Sequence, residues 1–262
     1  MKFIRNGLVF YGSEQMSKIP GLVHGFSTRQ GGVSQGAFAS FNFGLQDDKE
    51  CVLENYRRAC QALGISHLVV GHQQHTDTVQ AVTMKDAGRG MTVESRFERG
   101  VDALVTNCRG LGLGVLGADC PGVLLCDPQA GAIGAAHSGW RGTVMKIAAK
   151  TALKMGQLYG ARPERMFAVV GPSIHVCHFE TGLEVAQEFC KAYGTFYDRI
   201  GSRKGDKAYL NLPEAIRYDL EQIGIPSEQI SVLPHCTMCE TETFFSHRRG
   251  DLGRICGFIF LK

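Results

Sequence analysis

The chain reads as an α/β protein of the α+β kind, a mixed-sheet sandwich folded as one domain over residues 1–262. Three observations lead there. Short apolar runs bounded by Gly, Pro or Asp crowd the middle of the sequence, as buried strands do. Helical periodicity is spread around that block. The regular strand–helix–strand alternation of a nucleotide-binding sheet or a (β/α)8 barrel is absent. No internal repeat, low-complexity tract or Pro/Ser-rich linker divides the chain.

The elements follow in order. Phe3–Tyr11 and Leu22–Ser27 have strand character, and a Gly-rich loop, Gln30-Gly31-Gly32-Val33, comes next. Asp47 and Asp48 offer an N-cap to a helix running to Leu63, whose Val52, Tyr56, Ala59, Cys60 and Leu63 recur at helical spacing. Leu68–Val70, Thr78–Val82, Ala103–Thr106, Leu111–Leu116, Val123–Cys126 and Ala132–Ala136 are the central strands. The clearest helix is Thr143–Tyr159, which turns Val144, Ile147, Ala148, Thr151, Met155 and Leu158 inward and stops at Gly160. Met166–Val170 is another buried strand, helices follow near Gly182–Ala192 and Leu212–Ile223, and Cys256–Leu261 closes the sheet.

Composition excludes several classes. With 28 basic against 25 acidic side chains, the net charge of +3 is too small to support nucleic-acid or anionic-membrane binding. The first residues, MKFIRNGLVFYG, lack the apolar core and cleavage site of a signal peptide, and no window reaches membrane-span length. A cytoplasmic location follows, where the ten cysteines stay reduced and serve packing, metal binding or catalysis. Cys51, Cys60, Cys190 and Cys256 lie in apolar patterns and read as core.

Gly112-Leu113-Gly114-Val115-Leu116-Gly117 fits G-x-G-x-x-G, but no helix opens inside it and Pro121 follows, so it reads as a strand in a crowded sheet and not as a dinucleotide loop.

Three residues at strand ends can carry chemistry: His75 in HQQHTD, Cys120 in GADCP and His137 in AAHSGWRG. A thiolate and two imidazoles suit Zn²⁺, and three protein donors leave a fourth position open, as in catalytic zinc sites. Each residue alone reads as well as a hydrogen-bonded His or an inert buried thiol. With Asp119, Ser138 and Arg141 beside them, residue chemistry leaves both readings open. Cys236-Thr237-Met238-Cys239 is a C-x-x-C with no second pair to complete a four-thiolate site, and it reads as structural. His175 and His178 flank Cys177, but neighbours on an extended segment face opposite ways, which weakens a Cys177–His178 nucleophile pair. Arg29, Arg141, Arg248 and Arg249 lie among Gly, Ser or Thr and are the anion-binding candidates.

Taken together, FSTRQGGVSQG with Ser40-Phe41-Asn42, QQHTDTV, VDALVTN, ADCPGVLLCDP, GAAHSGWRGTV, GPSIHVCHFETG and FFSHRRG…GRICGF resemble the YfiH/DUF152 family, in the same order from Phe26 to the C-terminus. The sequence departs from the family's usual residues at Phe41, His178-Phe179 and His247. The resemblance implies an α-β-β-α sandwich and metal ligands at His75, Cys120 and His137. It implies a purine nucleoside phosphorylase acting on adenosine, inosine, guanosine and methylthioadenosine, with adenosine deaminase activity. The substrates are then a small-molecule nucleoside and phosphate, the cofactor is zinc with copper as the alternative, and Arg29, Asn42, Arg141 and Arg248 serve as substrate-binding residues. Cys120, His75, His137 and, as acid–base group, Asp119 form the expected catalytic set. The family has also been called laccase-domain or polyphenol oxidase, and some members peptidoglycan editing factors. Two other readings therefore stand: a copper-dependent polyphenol oxidase, and a metal-free cysteine hydrolase using Cys120 with His137 on a peptidoglycan precursor. The chain has nine His and no H-x-H pair of the multicopper kind, which ranks the oxidase lower.

Overall fold

The computed structural model describes residues 1–262 and contains two six-stranded sheets. The strands are β1 (Lys2–Arg5), β2 (Leu8–Tyr11), β3 (Leu22–Ser27), β4 (His67–Val70), β5 (Val79–Ala81), β6 (Ala103–Thr106), β7 (Leu111–Gly117), β8 (Gly122–Asp127), β9 (Ala132–His137), β10 (Phe167–Val170), β11 (Glu180–Gly182), β12 (Gly201–Lys204), β13 (Lys207–Leu210), β14 (Ile230–Val232) and β15 (Ile255–Leu261). The helices are α1 (Lys49–Leu63), α2 (Trp140–Val144), α3 (Ile147–Tyr159), α4 (Leu183–Tyr193), α5 (Tyr197–Ile200) and α6 (Leu212–Gln222). One sheet has the order β1-β2-β3-β15-β7-β4, the other β14-β10-β8-β9-β6-β5, and β11-β13-β12 form a small third sheet. The β4–β7, β5–β6 and β10–β14 pairs are parallel and the other pairings in the two large sheets are antiparallel, so both are mixed.

Strand alternation explains the layering. On β8, Leu124 and Cys126 face the other sheet, where they meet a core containing Phe26, Leu113, Val115 and Ile259. Val123 and Leu125 face the opposite way, onto Ile147, Ala148, Ala152 and Met155 of α3 and Ile216 and Leu220 of α6. The outer face of the first sheet, with Leu68, Val70, Phe258 and Phe260, is covered by Val52, Tyr56, Ala59 and Leu63 of α1 together with Phe41 and Phe43. The result is the expected α-β-β-α sandwich. A side cluster, including Phe189, Tyr193, Ile200 and Leu210, joins the third sheet to α4.

Local signals work as chemistry requires. Asp48 caps α1 by accepting from the Cys51 amide at 3.0 Å, and Gly64 ends it in the left-handed conformation. On β7, a Cβ at Gly112 would lie 2.9 Å from Ile65 and one at Gly114 2.9 Å from Val70, so the G-x-G-x-x-G is indeed a crowded strand.

Four expectations need correction. Phe3–Tyr11 is a hairpin, turned at Asn6 and Gly7, both at positive φ. The Thr143–Tyr159 helix is broken: Lys146 sits at φ 61° between α2 and α3, and Lys carries no sequence signature of a left-handed residue. Leu158 is exposed and Val144 only half-buried. Of the four cysteines read as core, only Cys256 is buried; Cys51 and Cys60 are half-buried and Cys190 is exposed, each lying at the edge of its helix's apolar stripe. No helix is long and apolar enough to cross a membrane.

Candidate metal centre and pocket

The chain crosses from one large sheet to the other twice on the way through the site. The β4–β5 loop carries His75, and the β7–β8 turn carries Cys120. His137 ends β9, paired with Gly122 at the start of β8. Donor atoms of His75, Cys120 and His137 all lie within 4.8 Å of one another, with Cys120 Sγ 3.9 Å from His75 Nε2.

A buried carboxylate holds the group in place. Asp102, immediately before β6, accepts from the backbone amides of Gln74 (3.0 Å), His75 (2.9 Å) and Thr76 (2.9 Å) and from the Thr76 hydroxyl (2.8 Å). Three successive amides can converge on one carboxylate because His75 sits at φ 60°, forming an anion nest. The same carboxylate lies 2.8 Å from His137 Nδ1. An ionised carboxylate only accepts, so Nδ1 carries a proton and Nε2 is the nitrogen left for the pocket, a ligand once a metal displaces its own proton. The Gln73 side chain fixes the other edge of the loop, donating to Leu116 O at 2.8 Å and accepting from Leu116 N at 2.7 Å.

Electrostatics favour the ligand form of the thiol. Burial raises the Cys120 pKa, but the charge of His137 and hydrogen bonds from His137 and His75 outweigh it and hold it at about 6. Burial disfavours a charged His137, yet the Cys120 thiolate and Asp102 lift it to about 9. Burial likewise opposes ionisation of Asp102, and its hydrogen-bond donors prevail, bringing it to about 2.

The donor set passes two tests for a metal ion. A thiolate and two neutral imidazole nitrogens match zinc chemistry, and one histidine already has the carboxylate partner that metal-bound histidines use. The space is also kept clear: a Cβ at Gly139 would fall 2.8 Å from Cys120 Sγ and 3.1 Å from His75 Cδ2.

The three donors open on a pocket of about 400 Å³. Its wall includes His72, Gln73, Arg96, His247 and Arg254. Arg254 donates through Nη1 to the Leu252 and Gly253 carbonyls at 3.0 and 2.8 Å, which leaves Nε and Nη2 without a protein partner.

The residues expected to bind substrate lie elsewhere. Arg29 stacks on Phe245 at 4.5 Å and pairs with Asp251. Arg141 stacks on Trp140 at 4.3 Å. Arg248 donates to His178 O at 3.2 Å. None of the three lines the pocket. Buried Asn42 accepts from Gly44 N and Arg254 N, both at 2.8 Å, and so sets the backbone beneath two pocket residues. Asp119 also lies outside the pocket wall; its two carboxylate oxygens accept from the Thr237 hydroxyl at 2.6 Å and the Arg248 amide at 2.7 Å.

The family model described as multi-copper polyphenol oxidoreductase laccase matches residues 23–262. The chain belongs to that family. A purine nucleoside phosphorylase from Bacteroides thetaiotaomicron is 36% identical over 260 residues, covering 95% of each chain. Adenosine deaminase RL5, from an unknown prokaryotic organism, is 35% identical over 233 residues, covering 87% of this chain and 88% of that one. Among solved structures, YlmD from Geobacillus stearothermophilus superposes with a TM-score of 0.88 at 31% identity, covering 99% of this chain and 98% of that one. Bacillus licheniformis hypothetical protein YfiH gives 0.90 at 32% identity, with 97% and 96% covered.

Proposed function

We propose that this chain is a zinc-dependent purine nucleoside phosphorylase, acting on adenosine, inosine, guanosine and methylthioadenosine, that also deaminates adenosine. The observation that carries the reading is an open three-donor centre at His75, Cys120 and His137, facing a pocket with unpaired guanidinium N–H groups. Relatives similar along nearly the whole chain carry both activities in their names.

When bound, zinc supplies a Lewis acid at an open coordination position. The protein's own groups do the rest. Arg254, through Nε and Nη2, and Arg96 hold the phosphate dianion and orient one oxygen towards C1′ of the ribose. That oxygen forms the new C1′–O bond as the C1′–N9 bond breaks, the electron pair leaves with the purine, and the proton given up by the phosphate dianion ends on the base. His72 and His247 line the space left for the base. Asp102 keeps His137 Nδ1 protonated and His75 in register throughout. Asn42 supports this wall from behind by accepting from Gly44 N and Arg254 N.

Purified chain incubated with inosine and phosphate tests the reading. Hypoxanthine and ribose 1-phosphate are expected in equal amounts, and adenosine alone should yield inosine and ammonia. Absence of ribose 1-phosphate removes the phosphorylase reading. The family's description favours copper oxidation as a second reading, and a His₂Cys set resembles a blue-copper site. Stoichiometric copper with an intense visible band would select it.

A further inference from the structure

A second group of metal-type donors lies outside the pocket. Cys236 and Cys239 were expected to lack partners; Cys177 and His178 supply them. Val176–His178 is a turn and not an extended segment, so the two neighbouring side chains converge after all, with His178 Nδ1 3.3 Å from Cys177 Sγ. His178 Nδ1 is also 3.3 Å from Cys239 Sγ and 3.9 Å from Cys236 Sγ. Cys177 Sγ is 3.6 Å from Cys236 Sγ and 3.7 Å from Cys239 Sγ.

These separations are the edges of a coordination tetrahedron. Zinc–sulfur bonds of about 2.3 Å at tetrahedral angles put sulfurs about 3.8 Å apart, and a zinc–nitrogen bond of about 2.0–2.1 Å puts that nitrogen about 3.5 Å from each sulfur. Edges this short leave room for one ion and not for a polynuclear cluster. The backbone has the matching shape, because the amides of Cys239 and Glu240 both return to Cys236 O, at 3.1 and 3.0 Å, making the tight turn of a C-x-x-C knuckle. Arg249 braces it by donating to Thr237 O at 3.0 Å.

We infer that Cys177, His178, Cys236 and Cys239 bind one zinc ion in a closed, four-ligand structural site. Four protein donors leave no position for substrate, which separates this site in kind from the open one. The three thiols give up their protons to the solvent as the ion binds. The ion cross-links two segments that continue the parallel pairing of β10 with β14, through Ser173 N to His235 O at 3.2 Å and Thr237 N to Ser173 O at 3.0 Å. Both segments hold the Asp119 turn: Ile174 N donates to Asp119 O at 2.8 Å and Thr237 to its carboxylate at 2.6 Å. Asp119, at φ 84°, immediately precedes Cys120, so the closed site steadies the turn that presents the open site's thiolate.

The closed site is independent of the proposed activity. Elemental analysis of the full chain, expressed with zinc supplied, should find two zinc ions per chain. Cys177→Ser and Cys239→Ser should each remove one, and His75→Ala should remove the other. Loss of metal in His75→Ala alone, with Cys239→Ser unchanged from wild type, overturns the inference, as does an intact mass showing a disulfide among the three cysteines. If the serine variants fail to fold, Cys120→Ser decides. Stripped of metal and titrated with Co²⁺, it retains three clustered thiolates and should develop strong near-ultraviolet thiolate-to-cobalt absorption. No such band overturns the site. An empty open centre beside a filled closed one would sink the proposed function and leave this inference standing.

Discussion

Asp102→Asn changes one atom and keeps the shape. The carboxylate accepts five hydrogen bonds, two on Oδ1 and three on Oδ2. An amide has one oxygen, so its NH₂ must face donors whichever way it turns. The less costly choice puts NH₂ towards His75 N and His137 Nδ1. Two buried donors then lose their acceptor, at about 1–3 kcal/mol each. His137 can relieve its share by moving its proton to Nε2, but this turns an N–H towards the metal. Relief and metal binding therefore compete, and zinc affinity should fall about 10–100-fold, or about 1.4–2.7 kcal/mol. Lost stability should also show as a lower melting temperature, about 2–4 °C for each kcal/mol. Competition against a chromophoric chelator measures the affinity. A dissociation constant within about twofold of wild type would refute the role given to Asp102.

Other outcomes follow from the same geometry. Gly139→Ala has an allowed backbone, φ −61° and ψ 174°, so any effect comes from its Cβ meeting Cys120 Sγ and His75; about tenfold weaker zinc binding is expected, and unchanged metal content would contradict it. Arg254→Lys removes the free guanidinium N–H groups, so KM for phosphate should rise about tenfold while KM for inosine moves little; equal change in both counts against it as the phosphate group. His24 is buried with Nε2 accepting from Ser13 N at 2.9 Å, and burial together with the N-terminal charge lowers its pKa from 6.5 to about 4. The unfolded chain then takes up a proton below pH 6.5 that the folded chain refuses until about 4, so stability is full above 6.5 and falls with acidification, by about 2 kcal/mol between pH 7 and 5. Denaturant titrations at both pH values should show wild type losing about that much more stability on acidification than His24→Gln; identical slopes refute it.

What was legible in the sequence follows physical lines. Strands such as Val123–Cys126 are continuous apolar runs because both faces are buried, and that pattern is visible without coordinates. Residues with backbone signatures, Asp48 and Gly160, marked helix ends correctly. The break at Lys146 had no such signature. The third sheet escaped notice because β12, Gly-Ser-Arg-Lys, is half-buried or exposed throughout and carries no apolar pattern. At the site, residue type makes His75, Cys120 and His137 candidates, the family resemblance selects them, and the structure brings their donor atoms together. Asp102 was missed although a signal existed: a carboxylate opening the apolar run Val101–Val105 needs buried partners. Arg254, directly before β15, offered the same kind of clue. Arg29, Arg141 and Arg248 share a Gly/Ser/Thr neighbourhood, and that local feature does not report which wall of the fold they reach. The partners of Cys236 and Cys239 come from a turn 58 residues away, beyond any spacing rule.

The most direct test strips the purified chain of metal and measures phosphorolysis of inosine as zinc or copper is returned. The expected result is no ribose 1-phosphate from the stripped chain, recovery with zinc in proportion to ions bound at His75, Cys120 and His137, and no recovery in Cys120→Ser. Full activity in the stripped chain, or failure of the zinc-filled chain to cleave inosine, would contradict a zinc-dependent phosphorylase.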